Sequence, residues 1–312
     1  DLEWGIPVPK AGYESKTIYI WAENVLGYLS ASRTAAENRG ADFGALWGAD
    51  ALHYYVHGKD NIPFHTIILP ALLLGSGGGW HLPDRIVSSE YQTLEGRKIS
   101  TSQNYAIWVK DLLVHYEADS IRYFFLANGP EKKDADFSWR EFVHSHNGEL
   151  LGGYGNFVNR SLAFIQKYLG GAVPEGTADP DIDRQLEELY PTIGQQIERG
   201  AFKDALEQIF NFVRGANKFF DARQPWITRT TDRADCGNTL YQCVQIIANL
   251  AVLLAPFLPF SSEKVSRWLG LTNRWEKQSV PGGFQLPEVE ILFQRIDKKA
   301  IEEETGKLKA LL

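Results

Sequence analysis

The chain has 312 residues, 44% hydrophobic, 23% charged and 12% aromatic, with a net charge of −7. That balance excludes disorder, a collagen-like repeat and a disulfide-stapled miniprotein, and the length suggests about two domains. Acidic residues outnumber basic ones, 39 to 32, so a nucleic-acid role would need a locally basic surface. No apolar run reaches the roughly 18 residues of a membrane-spanning helix, so no membrane partner is expected. The opening stretch from Asp1 carries no signal-peptide pattern. Cys236 and Cys243 are spaced for two turns of one helix face, not for a metal or redox motif. They are read as free thiols in a reducing, cytoplasmic setting. The chain holds no methionine and opens on Asp1, so it is expected to be a fragment or a processed product.

Thr17-Ile-Tyr-Ile20 is a β-branched and aromatic run that predicts a buried strand, with helix following inside Trp21–Tyr28. Ala51-Leu-His-Tyr-Tyr-Val-His57 predicts a second strand, closed by Gly58-Lys-Asp60. An apolar, helix-like stretch from Phe64 to Leu74 ends in Gly75-Ser-Gly-Gly-Gly79. That cluster follows a helical run, so it reads as a turn and not as a dinucleotide fingerprint. Arg85–Tyr91 predicts a strand, and Leu94–Ser102 a hairpin or mobile loop. Strands alternating with helices argue for a parallel α/β sheet, with ligands at the carboxyl ends of its strands.

From Ser138 the character becomes helical. Ser138-Trp-Arg-Glu141 is a capping box. Leu186, Leu189, Tyr190, Ile193 and Ile197 share one helix face, and Leu206, Ile209, Phe210, Val213, Ala216 and Phe220 another. Val244, Ile247, Ala251 and Leu254 form a third stripe. Pro256 and Pro259 punctuate, and Ser261 or Ser262 is expected to cap a helix running through Trp268. Residues 300 to 312 read as a short amphipathic helix. The predicted fold class is therefore α/β followed by all-α, the second part a helical bundle.

The loop Gly96-Arg-Lys-Ile-Ser-Thr-Ser102 gathers two cations, an apolar anchor and three hydroxyls. Such a set suits a polyphosphate, and a solvated turn is the alternative. Lys98-Ile-Ser-Thr-Ser102 resembles the KMSKS signature of class I aminoacyl-tRNA synthetases, and Ile86–Glu90 with Glu95–Lys98 resembles the methionyl family in particular. Gly58-Lys-Asp-Asn-Ile-Pro-Phe-His65 is similar to that family's G-K-D-x-x-x-F-H segment. Trp21-Ala-Glu-Asn-Val-Leu-Gly-Tyr28 resembles its W-x-D-A-x-x-G-Y element. Asn156-Phe-Val-Asn-Arg160 resembles its N-x-x-x-R, and Trp275 its anticodon-stacking tryptophan. Pro225-Trp226 and Leu254–Pro259 fit the family as packing elements. The resemblance runs from Asp1 to about Asp297.

The resemblance implies the second half of a class I Rossmann-type catalytic domain over residues 1–137, including the KMSKS-like loop. It implies an anticodon-binding helical bundle over 138–297 and a tail helix over 298–312. The implied activity is ATP-dependent adenylation of methionine, with Mg²⁺ accompanying ATP, then transfer to tRNA(Met). Lys98 and Thr101 are the implied catalytic residues. ATP falls to Asp60, Lys98, Ile99, Ser100 and Thr101. Methionine falls to Trp21, Asn24, Tyr28, Asn61 and His65, where aromatic contacts suit a thioether. The anticodon falls to Asn156, Arg160 and Trp275, since unpaired bases are read by stacking and edge bonds.

There are departures. Thr101 replaces the signature's second lysine and Ile99 its methionine. Glu23 and Asn24 stand for Asp and Ala, and Asn61 and Leu69 replace an apolar and an aromatic residue. No H-x-G-H element occurs, and the zinc-binding connective region is absent, so no metal ligands are assigned here. The isolated chain is accordingly expected to be inactive. Three alternatives remain: a non-catalytic tRNA-binding module, a class I synthetase for another aliphatic or thiol amino acid, and an inactive paralogue, hinted at by Thr101 and Glu23.

Overall fold

The computed structural model describes residues 4–272 and 274–310; Asp1–Glu3, where the resemblance begins, Asn273 and the end of the predicted tail helix lie outside them. The chain divides into two compact units, residues 1–91 and 92–312.

The first unit carries α1 (Ile20–Asn24), α2 (Gly27–Arg39), α3 (Phe43–Leu46), β1 (Tyr54–Gly58), α4 (Leu69–Gly75) and β2 (Arg85–Ser89). β1 and β2 pair in parallel from Tyr54↔Arg85 to Gly58↔Ser89. The crossover between them is a tight 3₁₀ turn, Lys59–Asn61, then a π-helical turn, Phe64–Ile68, that runs into α4. The helix widens just before Pro70, whose missing N–H cannot continue the ordinary ladder. Val25, Trp47, Tyr55, Leu69 and Leu73 form this unit's core. The strand expected at Thr17–Ile20 is replaced by one bridge, Thr17 to Pro7, and Ile20 already opens α1. Among the described residues no strand lies alongside this run, and Tyr19 and Ile20 stay exposed.

The second unit begins with β3 (Gln92–Leu94) and β4 (Arg97–Lys98), then α5 (Val109–His115), α6 (Ala118–Asn128) and β5 (Ala135–Phe137). The strand order is β4-β3-β5, antiparallel within the hairpin and parallel between β3 and β5. Glu95 and Gly96 form the hairpin turn at φ 47° and 75°, the left-handed pair that matches strand twist in two-residue hairpins. Helices follow: α7 (Trp139–Ser145), a π-helical stretch (His146–Gly155), α8 (Asn156–Tyr168), α9 (Pro180–Glu198), α10 (Phe202–Arg223), α11 (Pro225–Thr231), α12 (Arg233–Leu254), α13 (Pro259–Leu269) and α14 (Lys299–Ala310). Helix thus sets in at Val109, before the change of pattern at Ser138.

The stripes on α9 and α10 face the bundle core as expected. α12 goes further: from Leu240 to Leu254 it is buried almost all round except at Tyr241, because the other helices enclose it. By length and composition α12 is apolar enough to cross a membrane, correcting the sequence reading, but its apolar window is 83% buried inside the protein. The start of α13 is a second correction. Neither Ser261 nor Ser262 caps it; Pro259 opens the helix, and the buried Asp119 carboxylate on α6 accepts from the Ser261 N–H at 2.7 Å. The capping atom comes from a distant segment, which no local pattern reveals.

Candidate functional site

In the first unit two of the residues expected at methionine, Tyr28 and Asn61, meet a third, His65, while Trp21 packs on the neighbouring Phe64 and Asn24 is not brought to them. The π-helical turn brings His65 inward to 4% exposure. Its Nδ1 lies 2.9 Å from the Asn61 carbonyl, and its Nε2 lies 2.9 Å from the Tyr28 hydroxyl. Tyr55 and His57, on β1, pack on the same ring, His57 stacked at 4.4 Å. Trp21 stacks on Phe64 at 4.4 Å. Asn24 ends α1 with its side chain exposed, and Asn61 contributes its backbone carbonyl to His65. The Asp60 carboxylate accepts from the Tyr91 hydroxyl at 2.6 and 2.7 Å, while Lys59 lies over the Tyr91 ring. Sequence reasoning missed Tyr55, His57, Phe64 and Tyr91, since their role is visible only once β1 and the turn meet.

In the second unit the signature loop is the β3–β4 hairpin and its continuation. Lys98, Ile99 and Thr101 are exposed. Ser100 pairs with Tyr105 through two backbone bonds, and the Ser100 hydroxyl lies 3.2 Å from that of Ser102. The Arg97 guanidinium covers the Tyr105 ring at 4.7 Å, and the Tyr105 hydroxyl donates to the Leu94 carbonyl. The hairpin is held by Asp136, which accepts from the Thr93 hydroxyl on β3 at 2.6 Å and from the Gly96 N–H in the turn at 2.9 Å. An exposed lysine beside hydroxyls and turn amides is the donor set a polyphosphate needs. Among the described residues no group of three or more His, Cys, Asp or Glu side chains could hold a metal ion.

On the bundle, Asn156 and Arg160 sit one turn apart on α8 and face α10 together. The Asn156 amide approaches Asn217 at 3.5 Å, and the Arg160 guanidinium bonds Asp221 at 2.7 Å. That guanidinium also lies over the Phe220 ring at 4.4 Å and 5.9 Å from the Trp226 ring, which is 42% exposed. Trp275 sits elsewhere, with its N–H on the Tyr190 carbonyl of α9 and its ring edge-on to Tyr190. The exposed indole beside Arg160 is thus Trp226, a residue read from sequence as packing.

Residues 1–162 match the family described as tRNA synthetases class I (M), and residues 171–310 match the anticodon binding domain of methionyl tRNA ligase. Methionine–tRNA ligase 1 of Alkaliphilus oremlandii is 53% identical over 99% of this chain and 57% of its own length. A methionine–tRNA ligase of Bacillus anthracis is 55% identical over 99% of this chain and 56% of its own length. The chain therefore spans little more than half the length of these curated relatives. Among solved structures, Mycobacterium tuberculosis methionyl-tRNA synthetase in complex with methionyl-adenylate superposes with a TM-score of 0.81. It is 28% identical, over 94% of this chain and 59% of that one. With both halves matched in the expected order, an α/β catalytic part followed by a helical one, this chain belongs to the methionyl family of class I tRNA synthetases.

Proposed function

We propose that this chain serves a methionine–tRNA ligase, which joins methionine to ATP as methionyl-adenylate and passes it to tRNA(Met). The observation that carries the reading is the Tyr28–His65–Asn61 hydrogen-bonded row beside the Trp21–Phe64 stack. It offers aromatic faces and one fixed polar edge, the surroundings that a flexible thioether prefers. Trp21, Asn24, Tyr28, Asn61 and His65 take methionine in this reading.

The methionine carboxylate attacks the α-phosphorus of ATP, the bond to the β,γ-phosphates breaks, and pyrophosphate leaves. The terminal ribose hydroxyl of tRNA then attacks the adenylate carbonyl and AMP leaves. Neither step needs a nucleophilic side chain, so the residues position and neutralise. Lys98 offsets phosphate charge, Ser100 and Thr101 donate hydroxyl bonds, and the exposed Ile99 side chain offers the nucleotide an apolar contact. Asp60, aligned by Tyr91, accepts from nucleotide hydroxyls. Mg²⁺ accompanying ATP would neutralise phosphate charge alongside Lys98; the zinc of this family is assigned to its connective region and to no residue here. The working compartment is the cytoplasm.

Asn156 and Arg160 read the anticodon, and of the two candidate rings Trp226 lies beside Arg160 while Trp275 does not. In function, residues 1–137 serve catalysis, 138–297 the anticodon and 298–312 form a tail helix. This division follows chemistry and therefore differs from the packing division at residue 91.

The test is exchange of labelled pyrophosphate into ATP by the ligase carrying this chain. Exchange is expected to require methionine and to collapse in Lys98→Ala; equal exchange with leucine, valine or cysteine would overturn the reading. For the bundle, tRNA with a CAU anticodon should lose affinity in the Asn156→Ala/Arg160→Ala double variant. Comparing Trp226→Ala with Trp275→Ala then identifies the stacking ring.

A further inference from the structure

Glu95 has a left-handed backbone and a carboxylate committed to a distant helix. At φ 47° it occupies a conformation that asparagine or glycine adopts more readily. A glutamate there calls for a second reason, and its side chain supplies one. Oε1 accepts from the Trp139 N–H at 2.8 Å, while the Glu95 N–H donates to the Phe137 carbonyl at 2.8 Å. Trp139 is the first residue of α7, and the Ser138 hydroxyl accepts from the Glu141 N–H one step on. Two of the four unpaired amides at this helix start are thus met by different segments of chain. A carboxylate is also the favoured charge at a helix N-terminus.

The helix that Glu95 caps does not stop at Ser145. It continues in helical conformation through the π-helical stretch into α8, ending at Tyr168, a rod on the order of 40 Å long. One carboxylate therefore ties the hairpin bearing Lys98 to the rod bearing Asn156 and Arg160. Beyond Lys98 the loop is held chiefly by local bonds, Ser100 with Tyr105 and Ser102. Asp136 holds the hairpin at Thr93 and at the turn amide of Gly96, and among the described residues Glu95 alone carries the turn across to α7 through a side chain.

We propose that Glu95 is a positioning residue for the nucleotide-binding loop, setting the pose of Lys98 and the hydroxyls after it by anchoring the hairpin tip to the N-terminus of α7. This rests on the ligase reading for the identity of the ligand, though not for the anchor itself.

Two substitutions separate the anchor from the turn. Asparagine suits the left-handed turn better than glutamate but is one methylene shorter and cannot reach Trp139. Glutamine keeps the reach and an acceptor oxygen but gains nothing in the turn. In the ligase carrying this chain, Glu95→Asn should raise KM for ATP about tenfold, as expected for a lost bond to a charged acceptor, with KM for methionine unchanged. Glu95→Gln should stay within about twofold of the unmodified protein, since the bond survives in neutral form. A residue acting only through the turn would give the reverse order, and Asn equal to or better than Gln overturns the proposal.

Amide exchange on the 312-residue chain itself gives a readout independent of ATP. Exchange at Trp139 and across Arg97–Lys98 should quicken in Glu95→Asn and not in Glu95→Gln. Unchanged exchange in Asn defeats the anchor. The expected exchange pattern in a protein whose turnover ignores ATP would instead sink the ligase reading.

Discussion

The Tyr28 hydroxyl donates to His65 Nε2 at 2.9 Å, and the direction of that bond is set on the far side of the ring. His65 Nδ1 stands 2.9 Å from the Asn61 carbonyl, an acceptor only, so Nδ1 carries the proton and Nε2 of the neutral ring accepts. The phenol proton is thereby committed, and the hydroxyl oxygen has a fixed orientation. Removing it in Tyr28→Phe forfeits about 1 kcal/mol of interaction, or roughly a fivefold change in an equilibrium. KM for methionine should rise by about that factor while KM for ATP stays constant. A larger effect on ATP than on methionine, in pyrophosphate exchange, would remove Tyr28 from the amino-acid pocket.

How much of this was legible in the sequence depends on where each residue's partners come from. The α9 and α10 stripes were readable because each helix keeps one wet face, so Leu186 to Ile193 stand out against polar neighbours. α12 was only partly readable, since a helix enclosed on every side loses its period. Thr17–Ile20 has strand composition, but among the described residues only the bridge from Thr17 to Pro7 pairs with it, and pairing decides what composition suggests. The reading of Leu94–Ser102 as a hairpin or mobile loop left the turn at Glu95-Gly96 unplaced, because glutamate does not mark a left-handed position. Asp119 under α13, Glu95 on α7 and Trp226 beside Arg160 were invisible, because each joins segments far apart in the chain.

Asp119 caps α13 from outside, and its removal should be felt as lost stability. Its two oxygens accept from the Ser261 N–H at 2.7 Å and the Phe260 N–H at 3.4 Å, out of reach of water. Asp119→Ala leaves both amides without a partner, a loss of about 2 kcal/mol. The midpoint of thermal unfolding followed by circular dichroism should fall by roughly 5 °C for a unit of this size. Asp119→Asn keeps one acceptor oxygen and should fall less; an equal fall would show that charge, not bonding, does the capping.

His146 gives the bundle a definite response to acid. Its Nε2 donates to the Gln294 carbonyl at 2.7 Å and its Nδ1 accepts from the Ser120 hydroxyl at 2.8 Å. Burial lowers its pKa below the ordinary histidine value, against a smaller opposing effect of the Gln294 bond. The unfolded chain therefore binds this proton at a higher pH than the folded one. Stability is whole above about pH 6.5 and is lost as pH falls from there through the folded value. Glu117, whose pKa burial raises, works in the opposite sense. The urea midpoint should therefore drop between pH 7.5 and pH 5 by more in the unmodified protein than in His146→Asn. Parallel curves would rule His146 out as the source.

Cys243 and Cys236 lie buried on α12, and their reactivity should report opening of the bundle core. Burial pushes the Cys243 thiol up to about 12 and raises Cys236 as well. Only a thiolate attacks an alkylating reagent, so at pH 8 roughly one Cys243 in ten thousand is reactive even when reached. Iodoacetamide labelling should therefore be negligible in the native chain and follow the urea unfolding curve. Rapid labelling of Cys243 under native conditions would mean that α12 is not enclosed.

Arg160 cannot both hold Asp221 and engage a nucleotide with all its donors, and that competition is measurable. The pair is short at 2.7 Å but its carboxylate is half exposed, so the contact resists salt and water poorly. The guanidinium keeps its place without the carboxylate, because Phe220 lies beneath it at 4.4 Å. Asp221→Asn should then release charge toward a bound strand while preserving the arginine's pose. Affinity for tRNA with a CAU anticodon should rise about threefold at low salt, and the slope of log affinity against log salt should steepen by up to about 0.7, one phosphate's share for a single strand. Fluorescence anisotropy between 50 and 200 mM salt, a range over which phosphate contacts weaken measurably, makes both readings in one titration. If Asp221→Asn instead binds as poorly as Arg160→Ala, Asp221 is what aims the arginine, and the ring beneath it is not enough.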